Sequence, residues 1–219
     1  MAPGRNAVFL KVKALGLGVG LFVVVYVPAF IATAIVRPRI ELAILLVIAI
    51  TLSIAMLLIS LLAAARGGFA GFGFRVTRPR DVGIALAFGL ALGFVAAFLN
   101  HLLPFKPPFD VSGFARWKIG LYFIVGASIQ EEVVFRGLIQ SMVERRCTLI
   151  YPLLGVSISG AVVFTAMLFG IIHLEVGALV ALGAVILGLV AGELRRRSGS
   201  LLPAIIVHAS FNCIGTLWQ

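Results

Sequence analysis

The feature that most constrains this chain is the near absence of charge from seven long stretches of it. Apolar runs occupy about 12–36, 41–65, 82–103, 117–143, 153–173, 176–194 and 200–218, each near the ~20 residues an α-helix needs to cross a bilayer. Of the 219 residues, 62% are hydrophobic and only 12% charged, against roughly 45–50% and 25% in a soluble domain. A water-soluble globule is therefore excluded. The expected fold is all-α, a polytopic transmembrane helix bundle of seven to eight spans, the eighth allowing for a broken or re-entrant segment.

The net charge of +10 does not point to nucleic acid, because the cations sit in short clusters between apolar runs rather than along one polar face. With the N-terminus cytoplasmic, that side receives Arg5, Lys11, Lys13, Arg66, Arg75, Arg78, Arg80, Arg145, Arg146, Arg195, Arg196 and Arg197, whereas the far side receives Arg37, Arg39, Lys106, Arg116 and Lys118. That bias orients a multi-pass membrane protein with its N-terminus inside, and an odd number of spans then leaves the C-terminus outside. The cell membrane is the expected location. Gly67 to Phe74 and Pro104 to Asp110 read as connecting loops, with their phenylalanines at headgroup level. Cys147 and Cys213 have neither disulfide-framework nor metal spacing.

One cation is left inside a run. Arg136 shares the fourth run with Glu131 and Glu132, and each such charge costs ~2.5–3.5 kcal/mol on insertion scales unless it faces a bundle interior or an aqueous cavity. Glu132 and Arg136, four residues apart, lie on one helix face and can pair. Glu131, about 100° away on the helix, has no local cation and is the better base. An interhelical cluster that only locks packing would use the same residue types.

Two histidines add weight. His173 ends the fifth run with Phe169 one turn before it, and His208 stacks on Asn212 in the last run. His101 ends the third run with no acid or histidine at helical spacing and is read as interfacial.

Glu131-Glu-Val-Val-Phe-Arg136, Phe169-Gly-Ile-Ile-His173 and His208-Ala-Ser-Phe-Asn212 resemble, in order, the EExxxR, FxxxH and HxxxN motifs of the CPBP (Abi) family. That family includes the CAAX prenyl, or Ras-converting, endopeptidases. The resemblance covers about 117 to 213, and divides the chain into three N-terminal spans (1–116) and four or more motif-bearing helices (117–219). It implies an intramembrane endopeptidase in which Glu131 and His173 activate a water and His208 and Asn212 stabilise the oxyanion, with Glu132, Arg136 and Phe169 in support. The implied substrate is a peptide or protein, prenylated in the CAAX branch, met among membrane lipids, and no cofactor is required. Helix rise places Glu131 about 21 Å from Arg145 and His208 about 16 Å from Arg197, but His173 about 26 Å beyond Val156. A broken, tilted or re-entrant fifth helix is needed to bring His173 level.

Three other readings use the same residues. Two histidines and a glutamate can hold zinc with an open position for water, although HExxH is absent. A serine mechanism through Ser157 lacks the second glycine of a GxSG motif, and an aspartyl mechanism lacks aspartates in the spans, Asp81 and Asp110 both lying outside them. A transporter or an immunity or scaffold protein could use a Glu/His cluster to hold a proton or a partner, but no internal repeat is present of the kind transporters show.

Overall fold

The computed structural model describes residues 5–36, 39–66, 68–103, 113–147, 149–153 and 156–217. Its architecture is helical, as expected where lipid leaves backbone groups no water to bond. The helices are α1 (Arg5–Val36), α2 (Ile40–Arg66), α3 (Pro79–Leu102), α4 (116–144), α5 (Gly160–Ile172), α6 (Ala178–Ser198) and α7 (Leu202–Leu217). Stretches within α1, α2, α3 and α6 are long and apolar enough to cross a membrane, namely Leu10–Val36, Ile40–Ala65, Pro79–Leu102 and Ala178–Ser198. In the first three, only 17%, 17% and 22% of the most apolar window is buried in the protein, against 39% for α6. The uncovered remainder is apolar side chain, suited to hydrocarbon and not to water.

The fifth run is broken, as the depth of His173 requires. Its first part is a short antiparallel hairpin, β1 (Ile150–Leu153) and β2 (Val156–Ser159), with Tyr151 opposite Ile158. The Ser159 side chain accepts from the Ala161 N–H at 3.2 Å, a side-chain cap that starts α5 at Gly160. The thirteen residues of α5 rise only ~20 Å, too little to span alone. The depth problem disappears with this later start, because His173 then lies thirteen residues from the beginning of α5 and Glu131 lies thirteen from the end of α4.

The loop reading of Gly67 to Phe74 is corrected by the structure. Phe69–Phe72 forms a 3₁₀ turn whose Phe72 is fully buried, while Phe69 and Phe74 are exposed. Arg145 lies over the Phe72 ring at 4.7 Å, and the Leu201 N–H donates to the Gly73 carbonyl at 2.8 Å. Gly67 and the proposed loop Pro104 to Asp110 lie outside the described residues.

Small residues bring the helices together. Ala85, Gly89, Gly93 and Ala97 of α3 are buried in a row, and a Cβ on Gly89 would come within 2.5 Å of the Val207 carbonyl of α7. On α6, Gly188 and Gly192 face Ala166 and Val162 of α5. This is the small-residue packing by which membrane helices approach closely. α4 runs through the middle: from Val133 to Val143 every residue is buried. It contains two π-helical stretches, Gly120–Ala127 and Val133–Gln140, wider turns that are frequent at functional sites.

Candidate active site

Glu132 and Arg136 are fully buried and pair at 3.2 Å, as their four-residue spacing predicts. The guanidinium also donates from Nη2 to the Gly188 carbonyl of α6 at 3.0 Å. Burying either charge alone is expensive, so the pair and its carbonyl acceptor are needed together. One turn further along α4, Gln140 repeats the arrangement by donating to the Gly192 carbonyl at 3.0 Å. Both contacts depend on α6 glycines, whose missing side chains open the way to the backbone.

Glu132 reaches a second motif. His208 on α7 is buried, and its Nδ1 lies 2.9 Å from Glu132 Oε1. A carboxylate paired with arginine accepts, so Nδ1 carries the hydrogen and donates it. The other ring nitrogen, Nε2, lies 3.6 Å from Glu131 Oε2. His208 therefore stands between the two carboxylates, and Glu131 keeps 16% of its side-chain exposure where Glu132 keeps none.

His173 caps the C-terminus of α5. Its Nδ1 lies 2.8 Å from the Phe169 carbonyl, and a carbonyl only accepts, so Nδ1–H donates and Nε2 is left as an acceptor. The Phe169 ring joins the three motifs: its centroid is 4.7 Å from that of His173, 5.6 Å from that of His208, and 4.8 Å from the Arg136 guanidinium carbon.

Asn212 is placed differently from the sequence expectation of an open donor. Its amide nitrogen donates to the Phe123 carbonyl at 2.8 Å and to Ser128 Oγ at 3.3 Å, so both hydrogens are held by α4. His173, His208, Asn212 and Phe169 line a cavity of about 400 Å³, and Glu131 is not among its lining residues. The structure thus pairs Glu131 with His208, and His173 bonds to the Phe169 carbonyl and not to Glu131. His101 is exposed in the last turn of α3, and Ser157 is exposed on β2. Among the described residues, no group of three or more His, Cys, Asp or Glu side chains is arranged to hold a metal ion.

Sequence reasoning confined to ionisable groups missed several polar partners. Gln130 donates to the Tyr26 hydroxyl of α1 at 3.3 Å, both residues being buried. Ser128, Gln130 and Gln140 are uncharged but equally misplaced in an apolar run, and that cost was the available signal.

Residues 113–214 match the family model for type II CAAX prenyl endopeptidase Rce1-like proteins. No curated protein and no solved structure matches the chain. The matched segment contains all three motifs that the Phe169 ring draws together, and over it the chain is similar to the CAAX prenyl endopeptidases, a family of proteases.

Proposed function

We propose that the protein is a multi-pass intramembrane endopeptidase, with its N-terminus cytoplasmic, that hydrolyses a peptide bond with a water activated by side chains rather than by a metal. α4, α5 and α7 complete the spans within the bilayer. Glu131 takes the proton of the attacking water, and His173, through its free Nε2, is the second acceptor. The water oxygen bonds to the carbonyl carbon and the carbonyl oxygen becomes an oxyanion. His208 donates to that oxyanion from Nε2 when protonated, since Nδ1 is engaged with Glu132. Asn212 joins by exchanging its longer bond, the one to Ser128. The C–N bond then breaks and the leaving amine takes the proton held by Glu131. A positioned base of this kind is worth ~10²–10⁴ in rate, and one oxyanion donor ~2.7–4 kcal/mol.

The observation that carries this reading is the seating of His208 between Glu132 at 2.9 Å and Glu131 at 3.6 Å. A purely structural salt bridge has no use for a second, partly exposed carboxylate across the ring. The substrate is a peptide or protein met among lipids, a prenylated CAAX C-terminus being the family's form of it. The test is cleavage by purified protein in lipid: Glu131→Gln lowers it by ~10²–10⁴ while expression and unfolding temperature stay at parental values. Retention of the biological output by that variant would favour a scaffold or immunity role instead. Chelator treatment leaves cleavage intact, and loss restored by added zinc would move the mechanism to a metal.

A further inference from the structure

α1 lies outside the segment 113–214 that matches the family model, yet one of its side chains reaches the site. Tyr26 is 3% exposed, in a helix whose most apolar window is only 17% buried. A tyrosine hydroxyl enclosed in this way needs a polar partner. The partner is Gln130 of α4, whose Nε2 donates to the Tyr26 hydroxyl at 3.3 Å, both groups being buried. Gln130 immediately precedes Glu131.

The Tyr26 ring is fixed by its neighbours. It packs against Phe22 at 5.1 Å and Phe135 at 5.7 Å, and Phe135 meets Phe169, the ring shared by His173, His208 and Arg136, at 5.1 Å. α1 is thereby tied to the three motifs twice, by a hydrogen bond and by a run of aromatic contacts.

The backbone of α4 gives the hydrogen bond its importance. Glu131 sits on five α-helical residues, Ser128–Glu132, between the π-helical stretches Gly120–Ala127 and Val133–Gln140. Backbone bonds in those wide turns span five residues rather than four, so no unbroken α-helical ladder sets the direction in which the turn between them points. Two neighbouring helices grip that turn through side chains: α1 by Tyr26 on Gln130, and α7 by Asn212 on Ser128. Among the ionisable groups of α4, Glu131 bears most on the Tyr26 hydroxyl, ahead of Arg136 and Glu132. A rotation of this turn would carry the Glu131 carboxylate away from His208 Nε2, now 3.6 Å from it. Misplacing a reacting group by about 1 Å can cost ~10² in rate.

We infer that Tyr26 is a positioning residue for Glu131: its hydroxyl, through Gln130, holds the turn that carries the base, and α1 is thus part of the active site. This rests on the endopeptidase reading above and adds to it a residue from outside the matched segment.

The test compares Tyr26→Phe, which keeps the ring, with Gln130→Leu and with the double variant, each purified in lipid and assayed on a cleaved reporter beside Glu131→Gln. Each single variant lowers kcat on the order of tenfold to a hundredfold with KM unchanged, and strands a buried polar group, which lowers the unfolding temperature. The double variant removes both polar groups and regains the unfolding temperature, but its kcat stays at the level of the single variants, because all three lack the same bond. Recovery of kcat together with stability would reduce Tyr26 to packing and overturn the inference. So would losses that multiply in the double variant, or a parental kcat in Tyr26→Phe. With Glu131→Gln still slow, those outcomes leave the endopeptidase reading standing. A parental rate in Glu131→Gln overturns that reading and the inference with it.

Discussion

The two ends of this helix bundle are made of similar apolar helices, yet one is filled and the other is hollow. At the arginine-rich end, polar side chains are consumed by the protein itself: Gln140 bonds Glu144 and Gly192, Ser141 bonds Arg195, and Phe72 plugs the space beneath Arg145. At the opposite end the helices enclose about 400 Å³ whose polar groups include two imidazoles and two amides. In a bilayer, polar groups bonded to one another fix helix positions, whereas groups facing a cavity can act on something else. The boundary between the two regimes falls at the Glu131–Glu132 pair. Glu132 belongs to the filled end and Glu131 faces across His208 toward the hollow one.

That contrast can be broken from either side. Its largest expected effect is on rate, with Glu131→Gln lowering cleavage by ~10²–10⁴ and leaving thermal unfolding unchanged; a matching fall in stability would put Glu131 in the filled end after all. Arg136→Ala strikes the other regime, leaving the buried Glu132 carboxylate without its arginine and the Gly188 carbonyl without its donor. It costs about 3–5 kcal/mol of stability, read as a lost or strongly lowered unfolding transition in detergent.

Gly89→Ala sharpens the comparison by moving one helix against another. The added Cβ would press on the Val207 carbonyl, one residue before His208. Forcing α3 off α7 costs about 1–3 kcal/mol, and cleavage falls with stability because the His208 backbone shifts. A fall in stability with cleavage per folded molecule unchanged would show that α3 does not position the site. The smallest effect belongs to Lys118→Ala. Its bond to Glu41 is part-exposed, and such pairs contribute little, so unfolding temperature and cleavage both stay at parental values.

Some of this was legible in the sequence because the bilayer penalises polar groups position by position. A glutamate pair and an arginine inside an apolar run announce an interior site, and the four-residue interval between Glu132 and Arg136 already contains their pairing. The same logic, extended to Gln130, Gln140 and Ser128, would have found the rest of the network. For the fifth run the depth of His173 required a break, but its form was hidden, because apolar composition does not distinguish a spanning helix from a hairpin followed by a short helix. The distinction rests on the Ser159 cap and on strand pairing, both local geometries. Phe72 was assigned to the surface because aromatic residues near a span end suit headgroups as well as they suit a buried plug.

By itself the sequence determined that this chain is a membrane helix bundle, which way its charges bias it, and which ionisable residues lie inside its apolar runs, because the cost of charge in hydrocarbon is paid residue by residue. Only the tertiary structure decided that His208 stands between two carboxylates, that Asn212 gives both amide hydrogens to α4, and that Glu131 lies beside the cavity and not in its lining. Those outcomes depend on how closely α3, α6 and α7 approach α4. That approach is set by glycines and alanines packing across helices far apart in the chain, which no local pattern encodes.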